Sequence, residues 1–215
     1  MELRVAAPGL ARTTFAGVTP GGGRRDFVLP VGAALVGRVV RDGKPVKGIN
    51  IGVASVDRGV GSFTGDFVVG TDANGQFVLP SIPADRDYQF SGVMDSLRGV
   101  GAVPARVVHA GKDGSRTDLG VIGMTPGWRV AGEVRVANAK TLPVGSRLIL
   151  NREGAWDFSV IDLLADGRFD LPNVPGEVVS LRVGMAGYRA AGSQPKLGRL
   201  ASDRTGLLWL MEPGE

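Results

Sequence analysis

His109 is the only histidine in a chain of 215 residues that has no cysteine. Those two counts close most routes to catalysis. A zinc centre needs several His, Cys or carboxylate ligands at defined spacings, and Val107-Val108-His109-Ala110-Gly111 offers a single one. A Ser–His–Asp triad would have to run through His109, yet no serine sits in a nucleophile-elbow context. The chain therefore reads as a non-enzyme without catalytic residues or cofactor, with His109 a loop histidine in solvent. Asp66, Asp72 and Asn74 bracket one turn and are the candidate calcium ligands. A hard cation takes about six to eight oxygens, and the same residue types fix turns through Asx hydrogen bonds. The turn reading leaves no metal assigned. Gly21-Gly22-Gly23-Arg24 opens no helix and so offers no phosphate cradle. Trp128 and Trp209 lie in strand-and-turn contexts at unit boundaries and read as packing. Trp156, on a loop-to-strand edge, is the candidate ligand surface for a sugar ring. An intramolecular Lys–Asn isopeptide finds no recognisable spacing of lysine and catalytic acid.

What positions these residues is a repeat. Thr71-Asp72-Ala73-Asn74-Gly75-Gln76-Phe77-Val78-Leu79-Pro80-Ser81-Ile82-Pro83 returns 92 residues later, where Leu164 to Pro175 carry it. Gly75 matches Gly167, Phe77 matches Phe169, Leu79 matches Leu171, Pro80 matches Pro172 and Pro83 matches Pro175. Asn74-Gly75 and Asp166-Gly167 suit a turn with positive φ. Phe77/Leu79 and Phe169/Leu171 stand at i and i+2, so they share the core-facing side of a strand that Pro80 and Pro172 should end.

Before each motif comes an opening half. Ala34 to Arg41 alternates with period two and meets Asp42-Gly43, a strong hairpin signal, and Ile49 to Val56 makes the next strand. The later copy runs from Arg129 to Val136 and from Arg147 to Leu150. Closing halves recur three times. Leu3 to Leu10 resembles Leu181 to Tyr188, and the short strands Asp26–Pro30, Leu119–Met124 and Leu207–Gly214 follow in turn. Helical periodicity is nearly absent, so the fold class is all-β, with the 34 glycines and 13 prolines as turn punctuation.

The pattern Gly37-Arg38-Val39, Asp42-Gly43-Lys44-Pro45-Val46-Lys47-Gly48, Thr71 to Phe77, Leu79 and Ile82-Pro83 resembles the carboxypeptidase regulatory-like domain family. The resemblance covers 35–125 and, with departures, 127–214. Leu164 stands where Asp72 stands in the first copy, and Ala139-Lys140-Thr141-Leu142-Pro143 replaces the Asp-Gly-Lys-Pro turn. The resemblance implies two tandem seven-stranded transthyretin-like (prealbumin-like, Ig-like) β-sandwiches without catalytic residues of their own, in exported or envelope proteins. The expected boundaries are 1–31, the closing strands of a preceding repeat, then 32–126 and 127–215 as first and second modules.

Charge and hydropathy bound the partners. The net charge of +4 comes from 25 basic and 21 acidic residues that are dispersed rather than striped, which argues against nucleic acid. No apolar run approaches roughly 18 residues, so no direct membrane insertion by a helix is expected. Met1-Glu2-Leu3-Arg4-Val5 leads into no signal-peptide core, and an export signal would lie upstream. The functional expectation is a spacer or docking unit of an extracellular, periplasmic or cell-envelope protein. Its partners would be neighbouring β-modules of the same chain and a protein or glycan ligand. The alternatives are a carbohydrate-binding module and an accessory domain that positions an upstream catalytic domain.

Overall fold

A computed structural model describes residues 1–21, 23–57, 67–137, 139–155 and 157–214. They form two compact β units. Unit 1 comprises Met1–Gly92 with Ala105–Met124, and unit 2 comprises Val93–Pro104 with Thr125–Glu215. Asp66 and Trp156 lie outside the described residues.

In unit 1 the strands are β1 (Leu3–Val5), β2 (Thr13–Phe15), β3 (Ala33–Arg41), β4 (Lys44–Pro45), β5 (Asn50–Ser55), β6 (Phe67–Gly70), β7 (Gln76–Ile82), β8 (Arg86–Gly92), β9 (Arg106–Ala110) and β10 (Arg116–Gly123). One sheet places β10 parallel to β3, whose other edge pairs β7 and β4 antiparallel. The facing sheet runs β6-β5-β8-β9. Alternation turns Leu35 and Val39, Ile51 and Val53, Phe77 and Leu79, and Tyr88 and Phe90 inward, all buried. The Phe77 and Phe90 rings meet at 5.8 Å across the two layers. The β3–β4 hairpin closes through Asp42 (φ 51°) and Gly43 (φ 76°), the paired left-handed residues of a type I′ turn.

Unit 2 repeats this topology with β11 (Trp128–Val136), β12 (Arg147–Arg152), β13 (Asp157–Asp162), β14 (Arg168–Val174), β15 (Val178–Gly184), β16 (Tyr188–Ala190), β17 (Gly198–Arg199) and β18 (Arg204–Pro213). Its sheets run β14-β11-β18-β16 and β13-β12-β15-β17, with β11 and β18 parallel. Val130, Val134, Leu148, Leu150, Phe169, Leu181 and Trp209 from both sheets share one core. Phe169 meets Trp209 edge-on at 5.7 Å.

The repeated motif is a turn and an anchor in both units. Gly75 (φ 73°) donates to the Asp72 carbonyl at 3.0 Å, and Gly167 (φ 71°) donates to the Leu164 carbonyl at 2.9 Å. Their own carbonyls accept from Val39 at 2.8 Å and Val134 at 2.9 Å, which ties each turn to the first strand of its unit. A Cβ at Gly75 would strike the Val39 carbonyl oxygen, and one at Gly167 the Val134 carbonyl oxygen. Glycine is thus required twice over, by conformation and by contact.

Pro80 and Pro172 do not end their strands; β7 and β14 run through them. Each proline sits on an edge strand, where a missing N–H is tolerated. The residue after it, Ser81 (φ 54°) or Asn173 (φ 58°), is left-handed, and the register against the first strand shifts there. This is a β-bulge, and its extra residue lets Leu79 and Ile82 both face the core although they are three apart. Asp26–Pro30 is a second correction, since it forms no strand. Its counterpart β10 is drawn into a ladder by β3, and among the described residues no first strand pairs with Asp26–Pro30. His109 is a third. It sits on β9 rather than in a loop, because Val108 and Ala110 point inward and leave Val107 and His109 facing out.

Tyr88 reaches back to the turn before its strand, its hydroxyl donating to the Pro83 carbonyl at 2.8 Å. Burial, partly offset by Arg86, pushes its pKa up to about 12 from 10.0. The folded state therefore holds this proton more tightly than the unfolded chain. The stability linked to it is complete below pH 10 and is lost as pH rises toward 12. Tyr88→Phe is expected to cost about 1 kcal/mol at neutral pH and to flatten this alkaline loss, as urea titrations on both sides of pH 10 would show.

Candidate functional site

The sequence-derived candidates are placed as follows. Asp72 Oδ1 accepts the N–H groups of Asn74 and Gln76, both at 2.8 Å, and Arg38 Nε donates to the Asn74 carbonyl at 2.9 Å. The carboxylate holds its own turn. Among the described residues no three of His, Asp and Glu gather so as to hold a metal ion. His109 Nδ1 lies 2.8 Å from Asp87 Oδ1 on the exposed outer face of β8 and β9. Trp209 is buried and Trp128 packs against the unit 2 core. All five lysines, at 44, 47, 112, 140 and 196, are exposed.

Leu164, in place of Asp72, offers no acceptor and leaves its side chain 73% exposed. Asp166 Oδ1 takes only the Arg168 N–H, at 3.1 Å. Leu164→Asp is expected to stabilise unit 2 by about 1 kcal/mol through restored turn hydrogen bonds, read as a raised urea midpoint.

The most unusual chemistry lies elsewhere, at Arg152. Along β12 the inward positions are Leu148, Leu150 and Arg152, so alternation carries an arginine into the core, where its side chain is 0% exposed. Arginine is almost never fully buried without partners. Here Glu177 accepts from Nη2 at 2.9 Å and from Nε at 3.2 Å, a forked pair. Asp157 Oδ2 accepts from Nη1 at 3.4 Å, and the Val103 carbonyl accepts from Nη2 at 3.3 Å.

Val103 belongs to the segment 93–104, which the chain contributes to unit 2 between two strands of unit 1. The segment carries the one-turn helix α1 (Met94–Leu97). No side chain of its own caps α1, but Asp157 Oδ2 accepts the Met94 N–H at 2.8 Å. Ser159 Oγ makes a short hydrogen bond to Asp95 Oδ1, and Arg98 Nη2 reaches both, at 2.6 Å and 3.1 Å. Met94 enters the unit 2 core, and Leu97, Ala102 and Val103 are buried as well. Burial raises the Asp157 carboxyl above the usual carboxylate range, a shift that the Met94 N–H and Arg152 only partly offset.

The arrangement can grip backbone. It presents neither a nucleophile–base pair nor an open coordination site. A small crevice of about 150 Å³ remains beneath α1, lined by Met94, Leu150, Ile161, Pro172 and Pro175. On the outer face of β14, β11 and β18 an open trough of about 690 Å³ is flanked by ion pairs, Arg129–Asp170 at 2.7 Å and Arg135–Glu133 at 2.8 Å. Sequence reading missed Arg152, Glu177 and the 93–104 segment. The period-two run Leu148, Leu150, Arg152 was the available signal for the first.

No family model and no curated protein matches the chain. Among solved structures it is similar to a streptococcal ancillary pilin, at 16% identity over 98% of this chain and 73% of that one, with a TM-score of 0.37. It is also similar to GBS52, the minor pilin of Streptococcus agalactiae, at 12% identity over 85% and 97%, with a TM-score of 0.37. The shaft pilin SpaA of Lactobacillus rhamnosus GG matches at 11% identity over 86% and 98%, with a TM-score of 0.33. The β-sandwich architecture of this chain rests on its own strand pairing.

Proposed function

We propose that the chain is a non-enzymatic structural module of an exported protein, a run of tandem β-sandwiches that serves as spacer or docking unit. Residues 1–31 are then the closing strands of a preceding repeat, with 32–126 and 127–215 as the two modules in chain order, residues 93–104 of the first stretch packing with the second. The family resemblance supports the exported setting.

One observation carries the tandem reading. Ala11, fully buried, donates its N–H to the Pro30 carbonyl at 2.8 Å, and two residues later Gly32 leads into β3. Ala102, equally buried, donates to the Thr125 carbonyl at 2.8 Å, and two residues later Gly127 leads into β11. The same small residue makes the same bond at the entrance to both first strands. A spacer needs the entrance to each module held, and each bond ties that entrance down within its own unit.

Limited proteolysis tests the reading. Cleavage within 30–33, 102–104 and 125–127 should proceed only as fast as the whole molecule opens. Native-state cutting at those junctions, ahead of cutting at the exposed Lys112–Gly114 turn, contradicts it.

A further inference from the structure

The β1–β2 ribbon has a position in the repeat that can be read residue by residue. With Ala11 set on Ala102, Phe15 falls on Arg106, four residues on in each case. Phe15 pairs with Leu3, and Arg106 pairs with Phe90. Leu3 on β1 therefore corresponds to Phe90 on β8. The other edge of β8 carries β5, with Val53 opposite Phe90. The other edge of β1 carries no strand among the described residues. Beside it the Phe15 and Phe27 rings meet tilted at 4.7 Å, Leu3 and Val5 are only half-buried, and Val28 is 86% exposed. Asp26–Pro30, the counterpart of β10, likewise lacks the parallel neighbour that β3 gives β10.

We propose that the free edge of β1 and the apolar flank of residues 26–31 form a docking surface for the opening half of a further copy of this module. The occupant is a polypeptide with the strand pattern of residues 33–87. Its β5-like strand pairs antiparallel with β1, and its β3-like strand runs parallel to Asp26–Pro30. Two facts select this occupant: the register equivalence of β1 with β8, and a surface that is apolar where unit 1 places those two strands. A long unpaired edge with apolar neighbours otherwise invites nonspecific pairing. The inference rests on the tandem reading, whose proteolysis test at 102–104 and 125–127 does not involve this ribbon.

The experiment extends the full chain at its N-terminus with a second copy of residues 33–87, so that Met1 follows where Tyr88 follows Asp87. Because the chain has no cysteine, register can be read by a single engineered pair, Leu3→Cys with Val53→Cys in the added copy. A slip of one residue turns a side chain to the opposite face, and a disulfide forms only when the two Cβ atoms approach closely. The expected result is at least about tenfold more disulfide than with Ala54→Cys in the added copy, with slowed amide exchange across Leu3–Val5. Tryptophan fluorescence, whose three sources all lie at 128 and beyond, reports that unit 2 stays folded throughout. Equal disulfide yields at the two positions, no disulfide at either, or unchanged exchange at Leu3–Val5 would overturn the proposal.

Discussion

A fragment that begins at residue 127 is expected to remain unfolded, whereas one that begins at Val93 is expected to fold. The difference lies in segment 93–104, which belongs to the core of unit 2 although it precedes two strands of unit 1. Met94, Leu97, Ala102 and Val103 are each 6% exposed or less. Removing three large apolar side chains from such a core forfeits roughly 5–9 kcal/mol, against a total of about 5–15 kcal/mol for an ordinary domain. The cut also strips the Val103 carbonyl from Arg152 and the Met94 N–H from Asp157, and leaves buried polar groups unpaired. Near-ultraviolet circular dichroism and a thermal melt distinguish the two fragments. A cooperative melt from the shorter one would show that 93–104 contributes little.

The second large effect is at Arg152. Arg152→Ala is expected to destabilise unit 2 by about 3–5 kcal/mol, because it leaves the largely buried Glu177 and Asp157 carboxylates without their cation. The ion pair itself is not worth that much relative to an apolar core, since taking the guanidinium out of water offsets most of its attraction to the carboxylates. Combining Arg152→Met with Glu177→Gln and Asp157→Asn should therefore recover most of the loss. A recovery of less than half would mean that the forked geometry, rather than the absence of unpaired charge, sets the stability. Urea titrations with unchanged slope provide the measurement.

The turn-and-anchor motif was legible because its code is local. Gly75 and Gly167 must take positive φ, and Phe77 and Phe169 stand two residues further on, whatever the rest of the chain does. The bulges after Pro80 and Pro172 were not legible, because a proline normally ends a strand and only the sheet reveals that these two lie on an edge. His109 was read as a loop residue since Gly111 and Asp113-Gly114 crowd it with turn signals, yet alternation with Val108 and Ala110 wins. Arg152 runs against the preference of arginine for water and becomes plausible only once Glu177, 25 residues away, is placed beside it. Nothing in Met94-Asp95-Ser96-Leu97-Arg98 says which sandwich it will enter. Its docking is decided by Asp157 and Ser159, some sixty residues further along. The carboxylate of Asp72 was legible as a residue type and became unambiguous only when the N–H groups of Asn74 and Gln76 were seen to occupy it.

Exchange of the Met94 amide is the most direct measurement of this account. That N–H sits on Asp157 within the core of unit 2. Its protection should match that of the β12 amides of Leu148 and Leu150 and should fall in parallel with theirs in Arg152→Ala. Exchange of Met94 within seconds, while Leu148 and Leu150 stay protected, would show that the segment is not part of unit 2 and would contradict the account.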